Sequence, residues 1–86
     1  MPHGVPDPEQ RAELSRAIEL VEGFVATLDD DQRTVFVLAD LEGVPVPEIA
    51  AQLGVNLNTV YSRLRLARRR FERAIADAHA KEPRDG

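Results

Sequence analysis

At 86 residues the chain has room for one domain at most, whose core must come from a few well-placed helices. The lack of cysteine excludes a disulfide framework, a thiolate zinc site and a cysteine nucleophile, in keeping with a reducing cytoplasm. No apolar run approaches the roughly 18 residues of a membrane span, and Met1-Pro2-His3-Gly4 lacks a signal-peptide pattern, so a soluble cytoplasmic protein with no membrane association is expected.

The chain opens on residues 1–8, read as a flexible linker end from Pro2, Gly4 and Pro6. At its close Asp7 stands as an N-cap, Pro8 suits a first helical position, and Gln10 is placed as a capping-box partner. Leu14, Ala17, Ile18, Val21, Phe24, Val25 and Leu28 then recur at steps of three and four, predicting an amphipathic helix over about 9–28. Asp29-Asp30-Asp31 offers N-cap choices and favourable negative charge at the next helix start. That second helix, about 30–41, is expected to bury Val35, Leu38 and Ala39 and to stop at Gly43.

Val44-Pro45-Val46-Pro47 cannot continue a helix, and Pro47 suits the first position of a short third helix, 48–53, apolar at Ile49, Ala50 and Leu53. Gly54 supplies a left-handed turn, Val55 tucks inward and Asn56 caps a last helix over about 57–78. Its stripe is Val60, Leu64, Ala67, Phe71, Ile75 and Ala78, and residues 81–86 read as a flexible tail. The expected fold is all-α: a four-helix domain over 9–80 with a C-terminal helix-turn-helix and a long recognition helix.

The net charge of −4 conceals a split. Residues 1–55 set Arg11, Arg16 and Arg33 against eleven carboxylates, a balance of −8, whereas 56–81 set six arginines and Lys81 against Glu72 and Asp77, a balance of +5; the last five residues contribute −1. By charge alone, Arg68-Arg69-Arg70 could equally be a solvated helix face. Face geometry adds more. With Val60 as reference on a helix of about 100° per residue, Leu64, Ala67 and Phe71 fall within about 40° of it. Asn58, Ser62, Arg65 and Arg69 fall on the opposite side, at about 140–200°, and form an outward ridge. These side chains can bond base edges, and recognition helices present their N-terminal residues to bases. Arg63, Arg68 and Arg70 flank the ridge and suit phosphates, as does the hydroxyl of Tyr61. Exposed Leu66 could touch a thymine methyl, could touch a protein, or could be an ordinary surface residue.

The stretches Leu28-Asp-Asp-Asp-Gln-Arg-Thr-Val-Phe-Val-Leu-Ala-Asp-Leu-Glu-Gly43, Glu48-Ile-Ala-Ala-Gln-Leu-Gly-Val55 and Asn58-Thr-Val-Tyr-Ser-Arg-Leu-Arg-Leu-Ala-Arg68 resemble the promoter-binding domain, region four, of bacterial extracytoplasmic-function sigma factors. The resemblance covers about 10–75. It implies recognition of the −35 promoter element in the major groove, docking on the β flap of RNA polymerase core, and restraint by an anti-sigma factor. By position it implies base reading by Tyr61, Ser62 and Arg65, with Asn58, Leu66 and Arg69 added from the ridge and its edge. Backbone contacts are implied for Arg63 and Arg68, and are expected of Thr59 and Arg70 as well. Three positions depart from the pattern: Pro45 replaces a frequent capping Ser or Thr, Asp29 a frequent Pro, and Leu66 a frequent Arg.

Nothing in the chain corresponds to the polymerase-binding N-terminal domain of such factors, so an excised fragment is expected rather than a stand-alone module. Two other readings stay open: a LuxR-type response-regulator DNA-binding domain, and an interaction module that binds an anti-sigma factor. An enzyme is not expected. His3 and His79 lie near opposite ends without metal-ligand companions, and Asp29-Asp30-Asp31 lacks the spacing and glycine of a calcium loop. No cofactor and no metal is expected.

Overall fold

The computed structural model describes residues 7–81, which form four helices: α1 Pro8–Thr27, α2 Asp30–Phe36, α3 Val46–Leu53 and α4 Leu57–Lys81. The cap of α1 forms as its sequence predicts. Asp7 Oδ1 accepts from Gln10 N–H at 2.8 Å, and the Gln10 side chain accepts from Asp7 N–H at 3.3 Å. Asp7 and Pro8 therefore belong to the helix and its cap, while the rest of the expected linker end, 1–6 with His3, lies outside the described residues. At the other end α4 runs on through Lys81, so His79 and Lys81 are helical; 82–86 lie outside the described residues.

The chain deviates from a plain α-helix after Phe36. Val37–Leu41 forms a single π-helical turn, closed by Glu42 N–H donating to Val37 O at 2.9 Å. Gly43, at φ 75, then reverses the chain, with Val44 N–H donating to Leu38 O at 2.8 Å. The expected second helix thus reaches Leu41, but its last five residues carry the wider turn. The short helix α3 starts two residues earlier than expected, with Pro45 at the cap position and no side-chain cap bond. Gly54 ends it at φ 70, and Val55 N–H donates back to Ala50 O at 3.1 Å.

Two apolar clusters hold these elements. Val35, Ile49, Ala50, Val60 and Leu64 form the first, with Leu38, Ala39, Leu53 and Val55 packed against it. Ala50 is small enough to let α3 and α4 approach closely at their crossing. Phe24, Leu28, Phe36 and Ala67 form the second. Its three rings, Phe24, Phe36 and Phe71, stand 5.2–5.5 Å apart in tilted and edge-on pairs, the geometry aromatic quadrupoles favour.

Helix α1 is drawn into the core over part of its length only. Its seven-member apolar stripe enters the core only at its C-terminal end, through Phe24, Val25 and Leu28. Leu14 is 55% exposed and Ile18 49%, so the N-terminal half of the stripe faces outward. Arg33 fastens the buried end. Its Nε donates to Val25 O at 3.1 Å, its Nη2 to Leu28 O, and its Nη1 to Asp30 Oδ1 at 2.7 Å. The Leu28 bond is 2.6 Å. The two carbonyls close the last turn of α1, where intrahelical donors run out.

Candidate nucleic-acid interface

Helix α4 is built to present its first three turns. Asn56 Oδ1 accepts from Thr59 N–H at 2.8 Å and from the Thr59 hydroxyl at 3.0 Å, which fixes the helix start. Val60, Leu64 and Ala67 are fully buried against the scaffold, and Phe71, Ile75 and Ala78 are half-buried. With that face pinned, the opposite one must point outward. Asn58, Ser62, Arg65 and Arg69 are all exposed, as the helical spacing predicts. Tyr61 and Leu66 flank them at 45% and 47% exposure. Arg73, which sequence reasoning left out, continues the exposed ridge one turn beyond Arg69.

The flanking groups behave differently from the ridge. Thr59 is half-buried, and its hydroxyl proton is committed to Asn56. Arg63 is half-buried beside Asp31, Thr34, Leu53 and Val55, with Nη2 3.7 Å from Asp31 Oδ2. Arg68 grips Asp40 from the side: Nε donates to Oδ2 at 2.8 Å and Nη2 to Oδ1 at 2.7 Å. The Asp40 hydrogen bond raises the Arg68 pKa above its ordinary value; the Coulomb attraction of Asp40 and Tyr61 adds to this, against a lowering from partial burial. Arg70 is exposed on the Arg63 side. Two expected phosphate ligands are therefore anchored to scaffold carboxylates. Asp31 and Asp40 escape sequence reasoning because each meets its arginine only through the tertiary fold.

Tyr61, Arg65, Arg68, Arg69 and Glu72 line one shallow cleft along α4. The structure thus gathers Tyr61, Arg65, Arg68 and Arg69 on one side, and leaves Arg63 and Arg70 on the other. Among the described residues no group of three or more His, Asp or Glu side chains could hold a metal, and no helix is long and apolar enough to cross a membrane. The arrangement offers donors and charge to an anionic, groove-bearing polymer.

Comparison with known proteins agrees with this geometry. The family model described as sigma-70, region 4 matches residues 18–71, from the middle of α1 to Phe71 of α4. The chain is 34% identical over 57 residues to the ferric citrate uptake sigma factor FecI of Escherichia coli (strain K12), covering 66% of this chain and 33% of that protein. It is 37% identical over 71 residues to the ECF RNA polymerase sigma factor SigE of Mycolicibacterium smegmatis, covering 83% of this chain and 28% of that protein. The chain thus spans about a third of the length of these curated relatives. The response-regulator alternative loses its ground, because the matched family is sigma-70 region 4 and its segment takes in α3, the turn at Gly54 and α4 as far as Phe71. The chain belongs to the sigma-70 region 4 family, as a sigma-factor DNA-binding domain of the extracytoplasmic-function kind.

Proposed function

We propose that this domain recognises the −35 promoter element, laying the N-terminal turns of α4 in the major groove while docked on the β flap of RNA polymerase. The observation that carries the reading is the exposed ridge Asn58, Ser62, Arg65 and Arg69, held outward by the buried stripe Val60, Leu64 and Ala67. Guanidinium groups suit guanine edges, Asn58 suits adenine, and Ser62 accepts either role. Tyr61 and Leu66 stand beside the ridge, where a hydroxyl and an apolar side chain reach a base edge or a thymine methyl. Arg68 and Arg70 contact phosphates, and cation release supplies the sequence-independent part of the affinity. The domain binds and does no chemistry.

Residues 1–55 carry a balance of −8, which opposes DNA and keeps the intrinsic affinity low. Attachment to polymerase offsets this by raising the local concentration of the domain at the promoter. Exposed Leu14 and Ile18 favour an additional protein contact, for which an anti-sigma factor is the proposed occupant.

Selection of bound duplexes from a random pool, with the domain fused to the polymerase flap, tests the proposal. Enrichment of a single non-palindromic upstream box is expected, and no enrichment at low salt would sink it. Arg65→Ala should lose about 1–3 kcal/mol at one base pair. Equal weakening on every sequence would remove Arg65 from base reading.

A further inference from the structure

We infer that Asp40 is a positioning residue for DNA binding: it holds Arg68 by one edge of the guanidinium, leaving the other edge to receive a backbone phosphate. The inference rests on the DNA-binding reading above and adds to it how a particular phosphate is held.

A guanidinium has five N–H donors in one rigid plane. Asp40 takes the side-on pair, Nε–H and one proton of Nη2, at 2.8 and 2.7 Å. Three donors remain, on Nη1 and on the far side of Nη2, and planarity aims them away from Asp40. Exposure agrees: the Asp40 side chain is 27% exposed and that of Arg68 52%. Asp40 itself lies on the π-helical turn Val37–Leu41, whose wider winding re-aims side chains relative to an α continuation. Arg68 lines one cleft together with Tyr61, Arg65 and Arg69, and the edge that Asp40 leaves free is the one its guanidinium has to offer a phosphate there. Glu72, one turn further along α4, is the carboxylate of that cleft and repels an anion from its C-terminal end. A phosphate is thereby confined to the side of Tyr61 and Arg65, next to the base-reading turns.

The sign of one substitution separates this role from mere charge balance. Asp40→Asn makes an acidic protein one unit more positive, so a carboxylate that only competes with phosphate predicts tighter DNA binding on its removal. A positioning carboxylate predicts weaker binding.

Anisotropy of a fluorescein-labelled duplex of mixed sequence, titrated with the whole chain across a low-salt series, reads the difference. Asp40→Asn should bind about threefold to tenfold more weakly, with a log–log salt slope reduced by up to about 0.9, the share of one phosphate. In an Arg68→Ala background the same substitution should cost nothing further. Arg68→Lys with Asp40 intact keeps the charge but lacks the second edge, and should show at least about half of the logarithmic loss of Arg68→Ala. Circular dichroism establishes that each variant is folded, and if Asp40→Asn is not, Arg68→Lys decides. Tighter or unchanged binding by Asp40→Asn, an equal loss without Arg68, or wild-type affinity from Arg68→Lys overturns the inference alone. Absence of salt-dependent binding by the unsubstituted chain overturns both it and the DNA-binding reading.

Discussion

Replacing Arg33 with methionine should destabilise the domain by about 2–3 kcal/mol, because it removes the clamp on the end of α1 while keeping the apolar stem that packs there. The guanidinium donates to Val25 O at 3.1 Å and to Leu28 O, both partly buried. Hydrogen bonds to a charged donor contribute about 1.5–3 kcal/mol each. The Arg33 side chain is 38% exposed, so the lower end of that range applies to each. The ion pair with Asp30 adds under about 0.5 kcal/mol, since that carboxylate is 95% exposed. Val25 O also accepts from Leu28 N–H at 3.1 Å and is not orphaned by the change, so its bond counts for about half of that and the sum comes to about 2–3 kcal/mol. Urea unfolding followed by circular dichroism reads the effect as a lower midpoint at constant slope. Arg33→Lys should recover less than half, as one ammonium cannot reach both carbonyls in the same geometry. A loss below about 0.5 kcal/mol, or full recovery by lysine, would refute the clamp.

Leu64, 1% exposed at the meeting of α2, α3 and α4, should cost about 3–5 kcal/mol on truncation to alanine. In a domain of this size that loss shows as a collapsed thermal midpoint. Asn56→Ala should cost about 1 kcal/mol by removing the α4 cap, and it frees the Thr59 hydroxyl at the same time. Chemical denaturation measures the first effect. For the second, a partial gain in DNA binding from the freed hydroxyl should vanish in Asn56→Ala/Thr59→Val.

Much of the scaffold was legible because its signals are local. Asp7 with Gln10, Gly54 at φ 70, and Asn56 with Thr59 each act within four residues, and each forms as its side-chain chemistry requires. The outward ridge was legible for a related reason: helical period alone decides that Ser62 and Arg65 oppose Val60 and Leu64. What escaped depends on the third dimension. Periodicity marks Leu14 and Ile18 as one apolar face, yet it cannot say whether other parts of the fold cover that face, and both are about half exposed. Arg68 and Asp40 are 28 residues apart, and no spacing rule joins them. The π turn at Val37–Leu41 has no residue signature of its own, since valine, leucine and alanine there suit an ordinary helix. Phe36 likewise stood outside the expected core, although its ring completes the aromatic triad.

The overhang of α1 sets up a gradient of local stability along one rod. A 20-residue helix spans about 30 Å, and the buried side chains that hold α1 among the described residues, Phe24 and Leu28, both lie at its C-terminal end. Its far half is largely exposed, with a capping box at its start, and isolated helices of that length are marginal. Amide protons between Gln10 and Ile18 should therefore exchange by fraying, long before those of Val60 or Leu64 open with the global unfolding event. The recognition element can then stay fully folded while the segment leading into it melts and reforms, so ordering of that segment is free to respond to whatever comes to lie on it.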